Sequence, residues 1–282
     1  MEKKIISQSF IKSIFKYKSE KMCGLQFKAQ YVDGIEFPSG DVQRLGQWFE
    51  YVATGQKTKF GHIPEPDRLK PKKLTQKEIK EGLKQEDVQG GLSKKYKDIL
   101  VQVEMFKKML DFYDYEIVET GKTIINMDLG ISGDVDLVVR KRGEEEVKFI
   151  DLKTSGLLDN KWDDMGWGDD GLEFKDNLMI QAVQYKILGL SAYGYEPEFY
   201  FWVFSNTNTI DRKNIKVEVG QEKFEEHMGI ITKARYLFHE YEKNGWKARP
   251  TVKDCAKCAI KASCQHFIDI PAEQVVNYGI QA

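Results

Sequence analysis

Three charged residues interrupt two stretches of sequence that otherwise have the composition of buried β-strands. Asp136 lies in the first stretch, and Asp151 and Lys153 lie in the second. Because side chains alternate between faces along a strand, Asp151 and Lys153 share one face. A turn centred on Arg142-Gly143 would place Asp136 diagonally across from Asp151, within side-chain reach. Two neighbouring carboxylates repel each other, so this arrangement predicts a bound cation.

The predicted strand register pairs residue 134 with residue 151 and residue 136 with residue 149. If a bulge shifts this register, Asp134 replaces Asp136 as the candidate ligand. A hard divalent cation such as Mg²⁺ prefers oxygen ligands, so the backbone carbonyl of Leu152 would join the carboxylates of residues 136 and 151. The alternative interpretation is a solvated strand face that carries ordinary surface charge.

Lys153 would act beside this cation. Its ammonium group could orient or deprotonate a water molecule, or stabilise negative charge on a phosphate. Together with a metal that neutralises the transition state, such a group suits phosphodiester hydrolysis.

The elements that must position these residues follow from hydrophobic periodicity. Residues 41–54 are predicted to form a helix capped by Asp41, with an apolar stripe of Val42, Leu45, Phe49 and Val52. The other predicted helices are 97–112, 176–190 and 221–244, and the predicted strands are 115–119, 122–129, 132–140, 146–153, 198–204 and 214–219. This succession predicts an α/β (α+β) domain with a mixed sheet flanked by helices.

A polar segment, residues 56–97, interrupts the pattern. It contains 12 Lys/Arg against 6 Asp/Glu and is predicted to be a basic insertion with a short helix near residues 75–85. Such a segment could follow a phosphate backbone, and a solvated loop explains its composition equally well.

Four cysteines form a second candidate site. Cys255, Cys258 and Cys264 follow a C-x₂-C-x₅-C pattern near the end of the chain, and Cys23 lies near its start. Four thiolates are the ligand set of a Cys₄ metal site, which zinc or an iron–sulfur cluster could occupy. A Cys₃His zinc site with His266 would leave Cys23 free, and spacing alone does not choose between these possibilities.

The order of the charged motifs resembles the RecB-like branch of the PD-(D/E)XK nuclease superfamily. That branch carries Gly-x-x-Asp on one strand, Asp-x-Lys on the next strand and Gln-x-x-x-Tyr on the following helix. The matching residues are Gly133, Asp136, Asp151, Lys153, Gln181 and Tyr185. The resemblance implies a restriction-endonuclease-like core and Mg²⁺ or Mn²⁺ as cofactor. It also implies that Gln181 and Tyr185, on one helix, contact DNA or shape the active site.

The same resemblance implies a further ligand on an early helix, after a glycine. Gly46 and Glu50 stand at that place. RecB-like proteins often have histidine there, so glutamate is a departure, although a carboxylate can also bind the metal directly or through water.

The cysteine layout is similar to that of the iron–sulfur nucleases of this branch, the AddB nuclease domain and the CRISPR-associated RecB-like exonucleases. The similarity implies a [4Fe–4S] cluster that joins residues 246–270 to Cys23, with Zn²⁺ as the alternative. Such a cluster would contribute free energy to folding.

The resemblance covers residues 23–264 and implies one nuclease domain over residues 1–282. Its expected activity is a metal-dependent deoxyribonuclease, most simply an exonuclease on single- or double-stranded DNA ends. Expected partners are DNA and proteins of recombination, replication or CRISPR systems. Two alternatives remain: an inactive nuclease fold that binds DNA or assists assembly, and a zinc-stapled interaction protein.

The bulk composition limits other functions. The formal net charge of −1 excludes a global signature of nucleic-acid binding, so any polyanion site must be a local patch. Neither a signal-peptide pattern nor an apolar run of about 18 residues is visible, which predicts a cytoplasmic protein without a membrane partner.

Overall fold

A computed structural model describes residues 4–37, 39–55, 69–71, 76–80, 89–160, 166–168, 176–207 and 210–267. The strands are β1 Ile6–Ser7, β2 Leu69–Pro71, β3 Gln89–Leu92, β4 Tyr115–Asn126, β5 Ile131–Lys141, β6 Val147–Ser155, β7 Glu198–Ser205 and β8 Arg212–Val217. The helices are α1 Gln8–Lys18, α2 Gly24–Tyr31, α3 Asp41–Thr54, α4 Gln76–Lys80, α5 Lys94–Phe112, α6 Asp176–Tyr193, α7 Gln221–Asn244 and α8 Val252–Ala256. This mixture confirms the predicted α/β class.

The central element is a six-stranded mixed sheet, in which five strands follow the order β1-β5-β6-β7-β8. The sixth strand, β4, also pairs with β5. The pairs β4–β5, β5–β6 and β7–β8 are antiparallel. The pairs β1–β5 and β6–β7 are parallel, and a parallel neighbour requires a crossover, which α6 provides between β6 and β7. A separate antiparallel pair joins β2 and β3 within the predicted basic insertion.

The main core lies where α3 and α5 pack on one face of the sheet. Its fully buried members include Phe49 of α3, Phe106 of α5 and Trp202 of β7. On the other face, α6 packs through Tyr185 and Tyr193 onto aromatic residues of β7 and β6. The sheet is therefore covered on both faces, as expected for strands with long apolar runs.

Two details of the predicted helix 41–54 are wrong, although its bounds are confirmed. Gly40, not Asp41, is the N-cap residue, and no side chain caps the helix. Val42 is 71% exposed and Val52 is 36% exposed, so these residues do not join the core. Trp48 packs against the core instead, because a turn of 3.6 residues rotates the buried stripe towards position 48.

The two strands predicted over 115–119 and 122–129 form one strand, β4. The predicted break coincides with Gly121, whose φ is +58°, and a register shift lies nearby, between Ile117 and Glu119. Most of the predicted insertion 56–97 lies outside the described residues. The described part includes α4, which falls within the predicted short helix.

Contacts between residues divide the chain into two compact units. Unit 1 comprises Met1–Gln8 and Gly40–His227, and unit 2 comprises Ser9–Ser39 and Met228–Ala282. Unit 1 contains the sheet. Unit 2 has an aromatic core in which Phe27 stacks on Trp246 at 5.0 Å and Tyr17 meets Tyr241 at 4.5 Å, as measured between ring centroids.

Candidate functional site

The candidate catalytic residues meet at a fork between β5 and β6. The ladder between these strands pairs Arg140 with Val147 and ends at Leu137 and Ile150. One step further along this register, Asp136 comes opposite Asp151. The predicted pairing of residue 136 with residue 149 is therefore wrong by two positions, because five residues, 142–146, connect the strands and move the centre of the turn.

At the fork, an aspartate side chain replaces the missing strand partner. The backbone N–H of Leu152 donates a hydrogen bond to Asp136 Oδ2 at 2.8 Å. A buried N–H without a partner would cost free energy, so this bond stabilises the fork and orients Asp136 at the same time. Leu152 keeps its register with Trp202 on the opposite side, in the parallel pair with β7.

Asp151 is the centre of the polar cluster. It is 1% exposed, and Gln181 Nε2 donates a hydrogen bond to its Oδ1. Lys153 forms an ion pair with its Oδ2, which confirms that these two side chains lie on the same side of β6. Apart from that ion pair, Oδ2 accepts no hydrogen bond from the described residues. One buried carboxylate oxygen therefore retains the capacity to accept a further ligand.

Glu50 reaches the same electrostatic environment from α3. The helix passes close to β6, since a Cβ built on Gly46 would lie 3.6 Å from Thr154 Oγ1. Burial raises the pKa of Glu50 to about 7, with Lys153 opposing the shift and Asp151 adding to it. These interactions place Glu50 together with the strand residues, although it lies 86 positions before Asp136.

The carboxylates are too close to ionise independently. Burial raises the pKa of Asp136 well above its usual range, and the charges of Asp151 and Glu50 raise it further. Burial lowers the pKa of Lys153, but the carboxylates more than offset this effect, so its pKa is raised and it remains an ammonium group. A cluster of this kind binds additional positive charge favourably.

The Gln-x-x-x-Tyr pair of α6 supports the cluster through hydrogen bonds. Tyr185 donates from its hydroxyl to the backbone carbonyl of Asp134 at 2.6 Å, and Gln181 Nε2 lies 3.4 Å from that hydroxyl. Gln181 is 7% exposed and Tyr185 is 6% exposed. In this structure both residues therefore hold β5 and Asp151 in place.

Gly133 has a steric explanation in the same contact. A Cβ at this position would lie 2.6 Å from a ring carbon of Tyr185 and 2.9 Å from Leu188. The glycine thus permits the close approach of α6 that allows Tyr185 to reach β5.

Asp134, the substitute ligand, takes another direction. Its Oδ1 accepts a hydrogen bond from Thr123 Oγ1 at 2.7 Å, across the β4–β5 pair. Asp136 is therefore the better candidate ligand on this strand.

The fit of these residues to a divalent cation depends on which of their oxygen atoms are available as ligands. Three carboxylates and the carbonyl of Leu152, which lies 3.5 Å from Lys153 Nζ, form an oxygen-rich set. Within the described parts of the chain, no three His, Cys, Asp or Glu side chains stand in an arrangement that could hold a metal ion. The oxygens are engaged by Gln181 and by the N–H of residue 152, so a cation would have to compete with these donors.

The four cysteines line one cavity in unit 2, together with Gln26, Pro250 and His266. None of them forms a disulfide. The backbone N–H of Arg249 donates to Cys23 Sγ at 3.3 Å, and Cys23 is also the N-cap residue of α2. Burial raises the pKa of the Cys258 thiol, and the other three cysteines act on it electrostatically. The sequence-distant Cys23 therefore does join the C-terminal group.

Sequence motifs did not identify Arg249 as a neighbour of Cys23. Arg249 donates from its guanidinium to the backbone carbonyl of Tyr17 at 2.7 Å. The signal available in the sequence was a conspicuous concentration of aromatic residues at both ends of the chain, but it does not specify contacts.

Comparisons with known proteins bear on the fold. No curated protein matches the chain. A solved structure from Eubacterium rectale, named "Putative exonuclease", aligns with a TM-score of 0.57 and 13% sequence identity. The alignment covers 99% of this chain and 91% of the other chain. At this identity the likeness shows the fold alone.

No helix in the described part of the chain is long and apolar enough to cross a membrane.

The model of the PD-(D/E)XK nuclease superfamily matches residues 13–265, which include the residues of the fork and all four cysteines. Because this match spans most of the sequence, the chain belongs to the PD-(D/E)XK nuclease superfamily, whose members use divalent metal ions.

Proposed function

We propose that the protein is a Mg²⁺- or Mn²⁺-dependent deoxyribonuclease that acts as an exonuclease on DNA ends. The observation that carries the proposal is the convergence of Glu50, Asp136, Asp151 and Lys153 at one fork of the sheet. Membership of a nuclease superfamily supports hydrolysis of phosphodiester bonds. The end-directed mode is supported by the likeness to the Eubacterium rectale protein, whose name describes an exonuclease.

Each acidic residue has a proposed role at the metal. Asp136, Asp151 and the carbonyl of Leu152 would hold the cation, and Glu50 would bind it directly or through water. When bound, the cation would neutralise charge on the phosphate and lower the pKa of a water molecule. It would also relieve the repulsion that raises the pKa values of Asp136 and Glu50 in the free protein.

Lys153 is proposed to act on the substrate. Its Nζ is already directed to Asp151, so a small movement would bring the ammonium group to a phosphate oxygen or to the attacking water. The raised pKa favours the ammonium form, which supports charge stabilisation at the phosphate over proton abstraction.

Gln181 and Tyr185 are proposed as positioning residues in this reaction. The hydrogen bond from Gln181 sets the orientation of Asp151, and the Tyr185 bond anchors the strand that carries Asp136. A direct contact with DNA would require these buried side chains to change partners.

The cysteines are proposed to hold a [4Fe–4S] cluster, with Zn²⁺ as the alternative. Support comes from the shared cavity and from the Arg249 N–H bond to Cys23 Sγ, since N–H donors to sulfur tune and stabilise such clusters. Anaerobic purification followed by iron, sulfide and zinc analysis would decide between the two. A colourless protein with zinc and no iron would overturn the iron–sulfur assignment.

The cellular setting follows from the proposed substrate. We propose DNA as the principal partner, together with proteins of recombination, replication or CRISPR systems, in the cytoplasm. Residues 1–282 would form the single nuclease domain, with 56–97 as a basic insertion and 246–270 joined to Cys23 through the cluster.

The central experiment incubates end-labelled and internally labelled DNA, single- and double-stranded, with Mg²⁺, Mn²⁺ or a chelator. We expect metal-dependent release of short products from ends, and a loss of about 10³-fold or more in Asp151→Asn. Asp159→Asn is the matched control, because that carboxylate is 96% exposed and pairs with Lys213. Undiminished cleavage by Asp151→Asn would remove the site assignment, and cutting of closed circular DNA would replace the exonuclease by an endonuclease.

A further inference from the structure

Unit 2 contains a second cavity, of about 290 Å³, that the proposed reaction does not use. Its lining combines the aromatic residues Tyr17, Tyr236 and Tyr241 with the basic residues Lys247 and Arg249. We propose that this cavity binds one nucleotide of a single-stranded nucleic acid, with the base stacked on tyrosine and the phosphate near lysine. This inference rests on the proposed function for the class of ligand, because the cavity would be a second place where the nucleic-acid substrate contacts the protein.

The aromatic surface is accessible where a base would enter. Tyr236 is 62% exposed on α7, whereas Tyr17 is 2% exposed and forms part of the interior wall. The Tyr17 ring packs against Tyr241 at 4.5 Å between centroids, which holds both rings in fixed positions. Proteins that bind single strands use such rings as stacking platforms, because every base has a π-face.

The lining offers a cationic side chain to an anionic ligand. Lys247 is exposed, and the Arg249 guanidinium lies 5.0 Å from the centroid of the Tyr17 ring. Among the described residues Glu240 is the acidic residue that lines the cavity, and the Arg249 guanidinium forms an ion pair with Glu20 at 3.0 Å. Because Arg249 is paired with Glu20, Lys247 is the cation that would meet the phosphate, and a cation beside aromatic rings suits a nucleotide better than a neutral apolar ligand.

The wall of this cavity is fixed by the segment near Cys23. The Lys247 N–H donates to the Tyr17 hydroxyl at 2.9 Å, and the Gly24 N–H donates to the Lys247 carbonyl at 2.9 Å. The Arg249 N–H in turn donates to Cys23 Sγ at 3.3 Å. The residues that carry the basic side chains are thus held in place before a ligand arrives, which reduces the ordering cost of binding.

Stacking on Tyr236 requires an unstacked base, and this requirement predicts strand selectivity. Bases in a duplex are stacked on each other, so they cannot enter a side cavity without breaking the helix. The cavity should therefore contribute to binding of single strands and contribute little to binding of blunt duplexes.

The experiment measures binding in the full-length Asp151→Asn variant without divalent cations, so that cleavage does not interfere. Fluorescence anisotropy would follow a labelled short oligothymidine and a labelled blunt duplex. We expect the additional Tyr236→Ala change to weaken oligothymidine binding about tenfold or more, and duplex binding by less than about twofold. We expect Lys247→Ala to reduce the slope of log affinity against log salt by about 0.7.

Phe112→Ala is the matched control, because this ring is 81% exposed and belongs to unit 1. Affinity for the single strand that is equal in the parent, Tyr236→Ala and Phe112→Ala proteins would overturn the inference. Circular dichroism and thermal unfolding would verify that Tyr236→Ala is folded.

Photo-cross-linking gives a second, independent measurement. A bromodeoxyuridine-substituted oligonucleotide should cross-link to peptides that contain Tyr236 or Tyr241, and cross-links confined to unit 1 would overturn the inference. The two proposals fail separately. Cleavage without an effect of Tyr236→Ala removes this cavity alone, whereas selective binding without cleavage removes the deoxyribonuclease and retains the cavity.

Discussion

The fork in unit 1 and the cysteine cavity in unit 2 each collect candidate metal ligands, but the ligands of the fork are carboxyl groups beside a lysine. At the fork, burial raises the pKa values of Glu50 and Asp136, and the charge of Asp151 raises both further, beside Lys153. In the cavity, burial raises the pKa of Cys258 and favours the neutral thiol. The fork therefore requires positive charge to relieve repulsion, whereas thiols must lose protons before they can bind a metal.

The two regions also differ in what holds them. The fork is fixed by a side-chain network between strands and α6, in which each polar residue has a specific partner. The cavity is fixed by backbone N–H groups and by aromatic packing in unit 2. Changes at the fork should therefore alter activity before stability, and changes in the cavity should alter stability first.

The largest expected effect is the loss of activity in Asp136→Ala, with Asp134→Ala on the same strand as its comparison. Asp136→Ala should lower the rate of DNA cleavage by about 10³-fold, because it removes a ligand and leaves the Leu152 N–H without its partner. Asp134→Ala should change the rate only a few-fold, since Asp134 bonds to Thr123 on β4. Single-turnover kinetics in Mn²⁺ would measure both, and equal losses would remove the distinction between ligand and neighbour.

The cysteines provide the next test. Cys258→Ala should release the bound metal and lower the free energy of unfolding by about 4 kcal/mol or more, because loss of a structural metal is among the most destabilising changes. Ser263→Ala, an exposed neighbour, should retain the metal and wild-type stability. Metal analysis and chemical denaturation would report the result. Full stability in Cys258→Ala would show that the cysteines do not form a structural site.

A buried histidine should make the protein sensitive to acid. His227 is 2% exposed, its two ring nitrogens have no hydrogen-bond partner among the described residues, and burial lowers its pKa to about 4 despite Glu226. The unfolded chain takes up the proton near pH 6.5, so stability should fall as the pH drops from about 6.5 to 4. The loss from this group is about 3 kcal/mol and does not increase below pH 4.

His227 is the last residue of unit 1, so this test separates acid effects on unit 1 from proton-driven metal loss in unit 2. His227→Phe should flatten the pH dependence of urea unfolding between pH 6.5 and 4. His239→Gln, at an exposed position, should leave it unchanged. An unchanged slope in His227→Phe would assign the acid sensitivity to other groups.

The smallest effects come from two glycines, one in each region, that permit close contacts. In Gly133→Ala the new methyl group would meet Tyr185, and in Gly24→Ala it would lie 2.6 Å from the Lys247 carbonyl. Each should cost about 1–3 kcal/mol of stability. Gly133→Ala should also slow cleavage while the cysteine metal is retained, and Gly24→Ala should do the reverse. Thermal unfolding, metal content and cleavage rates together would show whether the two regions respond separately.

Much of the framework follows from short-range sequence patterns. Helix α7 matches its predicted bounds, 221–244, and the strand that carries Asp151 was recognisable from its apolar run. These elements depend on local periodicity, which a linear chain displays directly. The prediction divided β4 into two strands and did not include α1 or α2. Helix α1 was recognisable, because Phe10, Ile14 and Tyr17 recur at helical spacing, whereas α2 lacks a comparable apolar stripe.

The candidate site divides in the same way. Residue types and spacing were sufficient to nominate Asp151 and Lys153 together, since neighbours two apart on a strand share a side. The strand register was wrong by two positions, because the length of a turn is not encoded in the alternation of the strands it joins. The bond between Asp136 and the N–H of residue 152 could not be foreseen, because it exists only where the ladder opens.

Residue types and their order along the chain are enough to name the groups available for chemistry, which are the carboxylates, the lysine and the four thiols. Folding of the whole chain was needed to bring Cys23 to three cysteines more than 230 positions away, and to bring rings from α1 and α7 into one cavity with Lys247. Spacing constrains only neighbours along one helix or strand, whereas contacts between distant segments depend on how the whole chain excludes water and satisfies its buried hydrogen bonds.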